Sequence, residues 1–265
     1  MTVTFDYAGK AVLVTGGTRG IGAGIAAAFR AAGAEVTVCA RTRPESVPDR
    51  FVQADVRVPE DVDRLISGFD RLDVVVNNAG GSPPAPLEGT SPRLHARVIE
   101  LNLTAPLLVS QRAYPLLAAV GGAIVMIGSA SGARPSPGTA AYGAAKAGLH
   151  HLARCLAAEW APLVRVNTVV VGLAATVDAS GASPATTRDT SGASPAATRD
   201  AADHYGGRAD LDGRAIPAGR MATPDDVAQA CLWLAAPGYV TGAEVRVDGG
   251  GEIPAWRHLV SGDIS

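Results

Sequence analysis

Lysine and cysteine are both scarce in this chain. Among 23 basic residues only Lys10 and Lys146 are lysine, and the rest are arginine. The three cysteines, Cys39, Cys155 and Cys231, lie far apart, so they match neither an even disulfide framework nor the paired ligands of a zinc site. We expect buried thiols in a reducing compartment. A lysine kept in so arginine-rich a chain is a candidate for a role that requires an amine.

An excess of charge of one sign and a long apolar run are also missing. The 23 basic and 25 acidic side chains give a formal charge of −2, which offers no basic surface for a nucleic acid. No apolar run approaches the ~18 residues that a membrane span requires, and the N-terminal residues do not read as a signal peptide. With 47% hydrophobic residues, the composition predicts a globular protein in the cytoplasm, without a membrane or nucleic-acid partner.

The five histidines form no recognisable ligand cluster. Only His150 and His151 are close in sequence, and adjacent residues of a helix point to different sides. We therefore predict no metal site and interpret these two histidines as surface or interface residues.

Apolar runs alternate with helical patterns along most of the 265 residues. Continuous apolar strands separated by helices predict a mostly parallel sheet with helices on both faces. Residues 1–265 are thus expected to form one doubly wound, Rossmann-like α/β domain. Predicted strands cover 11–15, 35–40, 51–54, 73–77, 123–128, 165–171 and 244–247, and predicted helices cover 21–32, 59–68, 92–119, 139–161 and 224–235, the last with Thr223 as N-cap.

A glycine-rich segment, TGGTRGIG at residues 15–22, lies between the first predicted strand and the first predicted helix. Glycine permits a tight turn and lets phosphate oxygens approach the backbone. The helix N-terminus behind it offers free N–H groups and the positive end of a dipole. This strand–turn–helix context predicts a dinucleotide site.

The second predicted strand is followed by arginines rather than by a carboxylate. An NAD site would place an acidic residue here to bind the adenosine ribose hydroxyls. Arg41, helped by Arg43 and Arg19, would instead neutralise a 2′-phosphate, whose geometry a guanidinium matches. NADP(H) is therefore favoured. NAD(H) stays open, because these arginines can also be solvated loop residues and Glu45 is a possible late carboxylate.

Tyr142 and Lys146 open a small-residue helix, where a spacing of four places phenol and ammonium on one face. A phenol with an ordinary pKa near ~10 is a poor acid or base at neutral pH unless a nearby cation favours the phenolate. Lys146 can supply that cation, although such pairs also occur on ordinary helix surfaces. Ser129 follows the fifth predicted strand, at the edge of the sheet where ligands of open α/β folds bind.

Together these segments resemble the short-chain dehydrogenase/reductase family from about Gly9 to Gly250. The family pattern TGxxxGxG appears at 15–22 and its NNAG segment at 77–80. Four active-site positions also match, namely Asn102, Ser129, and Tyr142 and Lys146 of the YxxxK motif. The final segment VTG…VDGG at 240–250 matches the closing strand of the family.

The resemblance implies a role for each matched residue. Tyr142 would exchange a proton with the substrate oxygen, and Ser129 would hydrogen-bond that oxygen. Lys146 would lower the pKa of Tyr142 and bind the nicotinamide ribose, while Asn102 would hold a water that links Lys146 to solvent. Asp55 would receive the adenine amino group. Further cofactor contacts are implied at Gly16, Thr18, Arg19, Gly20, Ile21, Gly22, Arg41, Val56, Asn78, Ala79, Gly80, Gly172 and Thr176.

Two features depart from the family pattern. Val171 stands before Gly172 where a proline is usual, and loss of the ring's fixed φ is expected to loosen the nicotinamide end of the pocket. The substrate lid is expected at about 173–220. It contains an eleven-residue tandem repeat at 179–200 that we interpret as a duplication lengthening a mobile surface loop.

The expected function is NADP(H)-dependent interconversion of a ketone or aldehyde and its alcohol. The predicted pocket walls, 81–87, 130–138 and the lid, are rich in small residues and favour a fairly apolar substrate, with Arg134 as the one charge. The resemblance also implies a homo-oligomer, a tetramer or a dimer, through the two long helices.

Two alternatives keep the same fold. An NAD(H)-dependent alcohol dehydrogenase would differ only at Arg41 and its neighbours. A non-catalytic dinucleotide-binding sensor or scaffold would have no need of a phenol beside an amine, yet Val171 and the unusual lid leave it open.

Overall fold

The computed structural model describes residues 4–46, 49–83, 85–175 and 216–251. Within these ranges, strands and helices alternate along most of the chain. The strands are β1 (Ala11–Thr15), β2 (Glu35–Ala40), β3 (Arg50–Gln53), β4 (Val74–Asn77), β5 (Ala123–Ser129), β6 (Arg165–Val171) and β7 (Glu244–Val247). The helices are α1 (Gly20–Ala31), α2 (Pro59–Ile66), α3 (Pro92–Ile99), α4 (Ala105–Val120), α5 (Ala140–Trp160) and α6 (Pro224–Ala235).

The seven strands form one sheet in the order β3-β2-β1-β4-β5-β6-β7, and the six pairings described are all parallel. This arrangement confirms the doubly wound α/β fold. The strand order reverses between β1 and β4, so the chain leaves β1 in one direction and β4 in the other. In open α/β sheets ligands bind at such a reversal, beyond the carboxyl ends of the strands.

Hydrophobic side chains cover both faces of the sheet, because successive residues of a strand point to opposite sides. Val12 and Val14 of β1 face one core with Phe29 of α1, whereas Leu13 faces the other core with Leu117 of α4. All five side chains are fully buried. Burial of each contributes about 1.5–3 kcal/mol, which explains why the strands read as continuous apolar runs.

The helix predicted over 92–119 is wrong as a continuous α-helix. A π-helical segment, Glu100–Thr104, separates α3 from α4, and the Ala105 N–H bonds to the carbonyl of Glu100 five residues earlier. Pro106 lacks the N–H that would bond to the Asn102 carbonyl four residues before it, which disfavours regular α-helix here. The widened turn carries Asn102.

The start of α6 agrees with its predicted N-cap. Thr223 Oγ1 accepts a hydrogen bond from the Asp226 N–H at 3.2 Å, and the Asp226 carboxylate accepts one from the Thr223 N–H at 2.7 Å. This reciprocal capping box begins a helix whose first residue, Pro224, packs against Gly24 of α1. Helix α6 thereby supports the helix that follows the glycine loop.

Candidate active site

The glycine loop crosses from β1 to α1 at the strand-order reversal. Gly16 has φ +64° and donates its N–H to the carbonyl of Cys39 at 2.9 Å. Gly17 lies so close to β2 that an added Cβ would be 2.5 Å from Cγ1 of Val38. No side chain caps the first turn of α1, and no acidic residue lies in it. The free N–H groups and positive helix end therefore suit a phosphate.

The segment after β4 holds this loop in place. Asn78 Nδ2 donates to the carbonyls of Thr15, at 2.9 Å, and Gly16, at 3.1 Å. In return, Thr15 Oγ1 accepts the N–H groups of Asn78 and Ala79, both at 3.0 Å. The TG and NNAG motifs thus form one hydrogen-bonded unit. The structure brings the predicted positions in these two motifs together.

At the adenosine end, Arg41 follows β2 directly and is exposed, and its carbonyl accepts a hydrogen bond from Gln53 Nε2 at 3.0 Å. Arg43 instead lies over the ring of Phe51, 5.3 Å from the ring centre, while Arg19 is exposed at the start of α1. Arg41 and Arg19 thus remain candidates for a phosphate contact at this end of the site.

Asp55, implied as the adenine acceptor, is bound to a neighbour that the sequence analysis did not single out. Arg57 donates Nε to Asp55 Oδ1 at 3.0 Å and Nη2 to Asp55 Oδ2 at 2.6 Å. This hydrogen-bonded pair holds the pKa of Asp55 below its ordinary value. The carboxylate stays ionised at neutral pH and retains acceptor capacity for an amino group.

Ser129, Tyr142 and Lys146 meet at the carboxyl end of β5. The Ser129 side chain lies close enough to the Tyr142 phenol to act on its pKa. Lys146 Nζ lies 5.7 Å from the centre of the Tyr142 ring and donates to the carbonyl of Ile127 at 2.8 Å. Ser129 ends β5, so the strand and one face of α5 together position all three side chains.

Burial is the largest cause of the pKa shifts of Lys146 and Tyr142. Burial lowers the pKa of Lys146 to about 8, so its charged form is less favoured than on a surface lysine. Burial also raises the pKa of Tyr142, and the Ser129 side chain only partly opposes that rise. Lys146 was expected to lower the pKa of Tyr142, but the net shift of this pKa is upward. The raised pKa keeps Tyr142 a protonated donor at neutral pH.

Asn102 is fully buried beside Lys146, and its amide joins the π-helical segment to the loop after β4. Its Nδ2 donates to the carbonyls of Gly81 and Val98, both at 2.9 Å, and its Oδ1 accepts the Gly81 N–H at 2.9 Å. An added Cβ at Gly80 would lie 2.8 Å from this Oδ1 and 3.3 Å from Lys146 Nζ. Only glycine leaves the space between the two polar groups open.

A cleft lies next to Ser129, and its walls carry more charge than expected. It is lined by Ala130, Arg134, Gly172, Leu173, Ile216, Arg246, Asp248 and Gly251. The expectation that Arg134 is the one charge available at the pocket is wrong, because strand β7 and the residue after it bring Arg246 and Asp248 to the same cleft. An Arg246 nitrogen lies 3.7 Å from an Asp248 oxygen.

Val171, the departure before Gly172, is buried and in register with Ser129 on one side and Val247 on the other. The Gly172 N–H continues the pairing by donating to the Val247 carbonyl at 3.0 Å. The sheet therefore holds this backbone where the family pattern has a proline ring.

His150 is a residue that the sequence analysis misjudged. It is 3% exposed and faces β5, whereas the adjacent His151 is exposed. The surface or interface interpretation of His150 is wrong, because it lies one turn after Lys146 on the inward stripe of α5. Thr176, the repeat at 179–200 and most of the expected lid lie outside the described residues.

Within the described ranges, no group of three or more histidine, cysteine or acidic side chains could hold a metal ion. In the same part of the chain, no helix combines the length and apolarity required to cross a membrane.

A glycine loop at the strand-order reversal, joined in one sheet to a Ser–Tyr–Lys set, defines the class of a nucleotide-dependent oxidoreductase. The nucleotide fits the residues present, because the first turn of α1 has no side-chain cap and no acidic residue, so its N–H groups can bind a phosphate.

Comparison with known proteins identifies the family. A family model described as enoyl-(acyl carrier protein) reductase matches residues 16–252. An uncharacterized oxidoreductase of Mycobacterium tuberculosis is 34% identical, over 92% of this chain and 93% of its own. L-Fucose dehydrogenase of Oryctolagus cuniculus is 35% identical, over 93% of this chain and 86% of its own. The ligand-free structure of aldohexose dehydrogenase from Thermoplasma acidophilum superimposes with a TM-score of 0.79 at 26% identity, covering 92% of this chain and 94% of that one. The chain belongs to the short-chain dehydrogenase/reductase family and is an NAD(P)-dependent oxidoreductase.

Proposed function

We propose that this enzyme interconverts a ketone or aldehyde and its alcohol with NADP(H), using Tyr142 as the proton donor and acceptor. The meeting of Ser129, Tyr142 and Lys146 at the carboxyl end of β5 supports this proposal most strongly. When bound, the nicotinamide supplies or receives the hydride.

In the reducing direction, Tyr142 donates its phenolic proton to the carbonyl oxygen as charge develops there. The Ser129 hydroxyl donates a hydrogen bond to the same oxygen and stabilises that charge. The phenol is protonated at the start of this direction, because burial raises the pKa of Tyr142. In oxidation the same phenol group must first lose its proton.

Lys146 and Asn102 return the proton after each turnover. Lys146, with a pKa of about 8, exchanges protons readily near neutral pH, and Asn102 Oδ1 lies beside it across Gly80. We propose that a water at Asn102 connects Lys146 with solvent, as the resemblance implies. The ammonium is also expected to bind the nicotinamide ribose, as the resemblance implies.

The preference for NADP(H) rests on charge. Arg41 follows β2 at the position where a carboxylate would bind a free ribose diol, and Arg19 is exposed on the adjoining loop. Two guanidinium groups attract a 2′-phosphate and offer no acceptor to ribose hydroxyls.

For the substrate, the charged cleft favours a polar compound over the apolar one expected from composition. Arg134, Arg246 and Asp248 line the cleft that begins beside Ser129. The two arginines can bind hydroxyl or carboxylate groups, and Asp248 can accept hydrogen bonds from hydroxyl groups. The names of two similar proteins, L-fucose dehydrogenase and aldohexose dehydrogenase, also point to sugars. We therefore extend the proposal to hydroxylated carbonyl compounds and their alcohols. A homotetramer or dimer and a cytoplasmic location stay predictions.

The test is a substrate panel followed by the absorbance of the reduced nicotinamide. Aldoses, hydroxyketones, keto acids and simple apolar ketones are compared with NADPH and NADH, and the matching alcohols with NADP⁺ and NAD⁺. We expect turnover with NADPH or NADP⁺ and a higher kcat/KM for hydroxylated compounds. Turnover of apolar ketones alone would contradict the substrate class, and a preference for NADH and NAD⁺ would contradict the cofactor assignment.

A further inference from the structure

Four side chains on α5 are spaced by four residues and form one stripe, Tyr142, Lys146, His150 and Arg154. The first two belong to the proposed catalytic set. His150 comes next and, like Lys146, is almost completely buried. Its burial within the stripe raises the question of what the imidazole does there.

The two buried members of the stripe bind neighbouring peptide groups of β5. Lys146 Nζ donates to the Ile127 carbonyl at 2.8 Å, and His150 Nε2 accepts the N–H of Ser129 at 3.3 Å. Residues two apart in a strand direct their peptide groups to the same edge, and β4 pairs with β5 only as far as Met126. Side chains of α5 therefore satisfy peptide groups beyond the end of β4.

The imidazole has a dedicated space and a fixed orientation. An added Cβ at Gly128 would lie 2.8 Å from Cδ2 of His150, so only glycine lets the ring reach the strand. On the other side, His150 Nδ1 lies 3.8 Å from Glu244 Oε2 of β7. Glu244 Oε1 in turn accepts a hydrogen bond from Arg154 Nη1 at 2.6 Å. The last residue of the stripe thus holds the carboxylate that faces the ring.

These contacts select one form of the imidazole. To accept a hydrogen bond at Nε2, the ring must be neutral and carry its hydrogen on Nδ1, which is the nitrogen facing Glu244. A second hydrogen would turn Nε2 into a donor that faces the Ser129 N–H.

We propose that His150 is a positioning residue: its neutral ring, oriented by Glu244, holds the Ser129 peptide so that the Ser129 hydroxyl faces the substrate oxygen together with Tyr142. This inference rests on the proposed function, because it assigns Ser129 the role given there. His150 does not touch substrate or cofactor and acts only through the Ser129 backbone.

The proposal makes turnover sensitive to acid. Burial is the main cause that lowers the pKa of His150, and the charges of Lys146, Arg154 and Arg246 lower it further, whereas Glu244 raises it. The net direction is down, so the ring is neutral at pH 7. As pH falls below the ordinary imidazole value of ~6.5, protonation removes the acceptor for Ser129 and turnover is expected to fall.

Three variants and one control test this role. His150→Leu removes the acceptor at similar volume, and His150→Gln keeps an acceptor without a titrating ring. Glu244→Gln removes the charge that raises the pKa of His150. His151→Gln is the matched control on the exposed neighbour. For each protein, kcat is measured with the best substrate of the panel between pH 5 and 8, NADPH binding by fluorescence, and amide exchange of the 127–131 segment by mass spectrometry.

We expect His150→Leu to lower kcat about tenfold at pH 7 without weakening NADPH binding, and to speed amide exchange at 127–131. His150→Gln should recover most of the rate and lose the fall in kcat at acid pH. Glu244→Gln should shift that fall to lower pH, and His151→Gln should match the wild type.

An unchanged kcat in His150→Leu would overturn the proposal. So would equal losses of kcat in His150→Leu and His150→Gln, if kcat of both still falls at acid pH as in the wild type. If His150→Leu does not fold, the fall of kcat at acid pH in His150→Gln and Glu244→Gln decides. A fall at the wild-type pH in both variants would overturn the proposal. Amide exchange does not depend on turnover. It therefore distinguishes two failures. If only the Tyr142 assignment is wrong, Tyr142→Phe keeps its activity but His150→Leu still speeds amide exchange at 127–131. If this inference is wrong, amide exchange at 127–131 does not respond to His150→Leu.

Discussion

In the function we propose, the two halves of this molecule bind the nucleotide and react with the substrate by different physical means. The nucleotide half, the β1 loop with the ends of β2 and β4, works through backbone: helix N–H groups, a glycine against Val38, and Asn78 bonded to loop carbonyls. The reaction half, the ends of β5 to β7 with α5, works through buried side chains whose proton affinities burial has shifted. The first half thus depends on backbone groups and the second on buried ionisable side chains.

Lys146 should show the largest effect, because its amine lies beside Gly80 of the loop after β4 as well as beside Tyr142. Lys146→Ala is expected to lower kcat/KM by at least ~10³-fold, because it removes the cation beside Tyr142 and a donor toward the nicotinamide ribose. Lys146→Arg keeps a charge, but its planar fork does not fit a space built for one amine, so most of the loss should persist. Steady-state kinetics measures the loss in catalysis, and NADPH titration measures the loss in cofactor affinity.

The other lysine provides the control for that variant. Lys10 is partly exposed and pairs with Asp73 at 3.2 Å, remote from the reaction half in the fold. Lys10→Ala should keep wild-type kinetics. If Lys146→Ala is within a few-fold of this control, the buried amine has no part in the chemistry.

Arg41 tests the nucleotide half alone. Arg41→Asp removes the attraction for a 2′-phosphate and adds an acceptor for the ribose hydroxyls, so the ratio of kcat/KM values for NADPH and NADH should reverse, by roughly 10²-fold overall. Turnover at saturating cofactor should change little, because Tyr142 and Lys146 are untouched. Arg93→Asp, which makes the same charge change at an exposed position of α3, is the control. An unchanged ratio in Arg41→Asp would place cofactor choice elsewhere.

The smallest expected effect concerns the support of the nucleotide half by α6. Thr223→Ala removes the side-chain cap and should lower the free energy of unfolding by about 1 kcal/mol without changing kcat. Chemical denaturation followed by circular dichroism measures this loss, with the exposed Thr42→Ala as control. The Asp226 pKa is lowered by Arg220 and by the cap, so its contribution is present above its ordinary value near ~3.9 and is lost as pH falls. Equal stability of the two variants would contradict the capping role.

The fold was predictable because its signals are local and repeated. Strands buried on both faces read as apolar runs, and Thr223 followed by Pro224 and Asp226 marks a helix start in three residues. The glycine loop was predictable for the same reason, since it lies between an apolar run and a helical pattern and Gly16 and Gly20 adopt positive φ. The contact of Gly17 with Val38, by contrast, joins distant segments. The π-helical break was missed, although Pro106, four residues after Asn102, is the local signal for it.

The parts that sequence reasoning missed arise from contacts between distant segments. Arg246 and Asp248 reach the cleft because β7 pairs with β6, and no spacing in the sequence shows which end of the strand faces Ser129. His150 was judged by its neighbour His151 rather than by its distance of four from Lys146. Gly128, which makes room for the ring, was interpreted only as the end of a strand.

The Tyr142→Phe variant is the sharpest test of Tyr142 as the proton donor, because it keeps the ring and removes only the proton that is transferred. Stopped-flow single turnover with prebound NADPH and the best carbonyl substrate measures the chemical step, and fluorescence titration measures cofactor affinity on the same samples. We expect a loss of ~10²-fold or more in the single-turnover rate with unchanged NADPH affinity. A rate within a few-fold of the wild type would contradict it and place the proton donor on another residue.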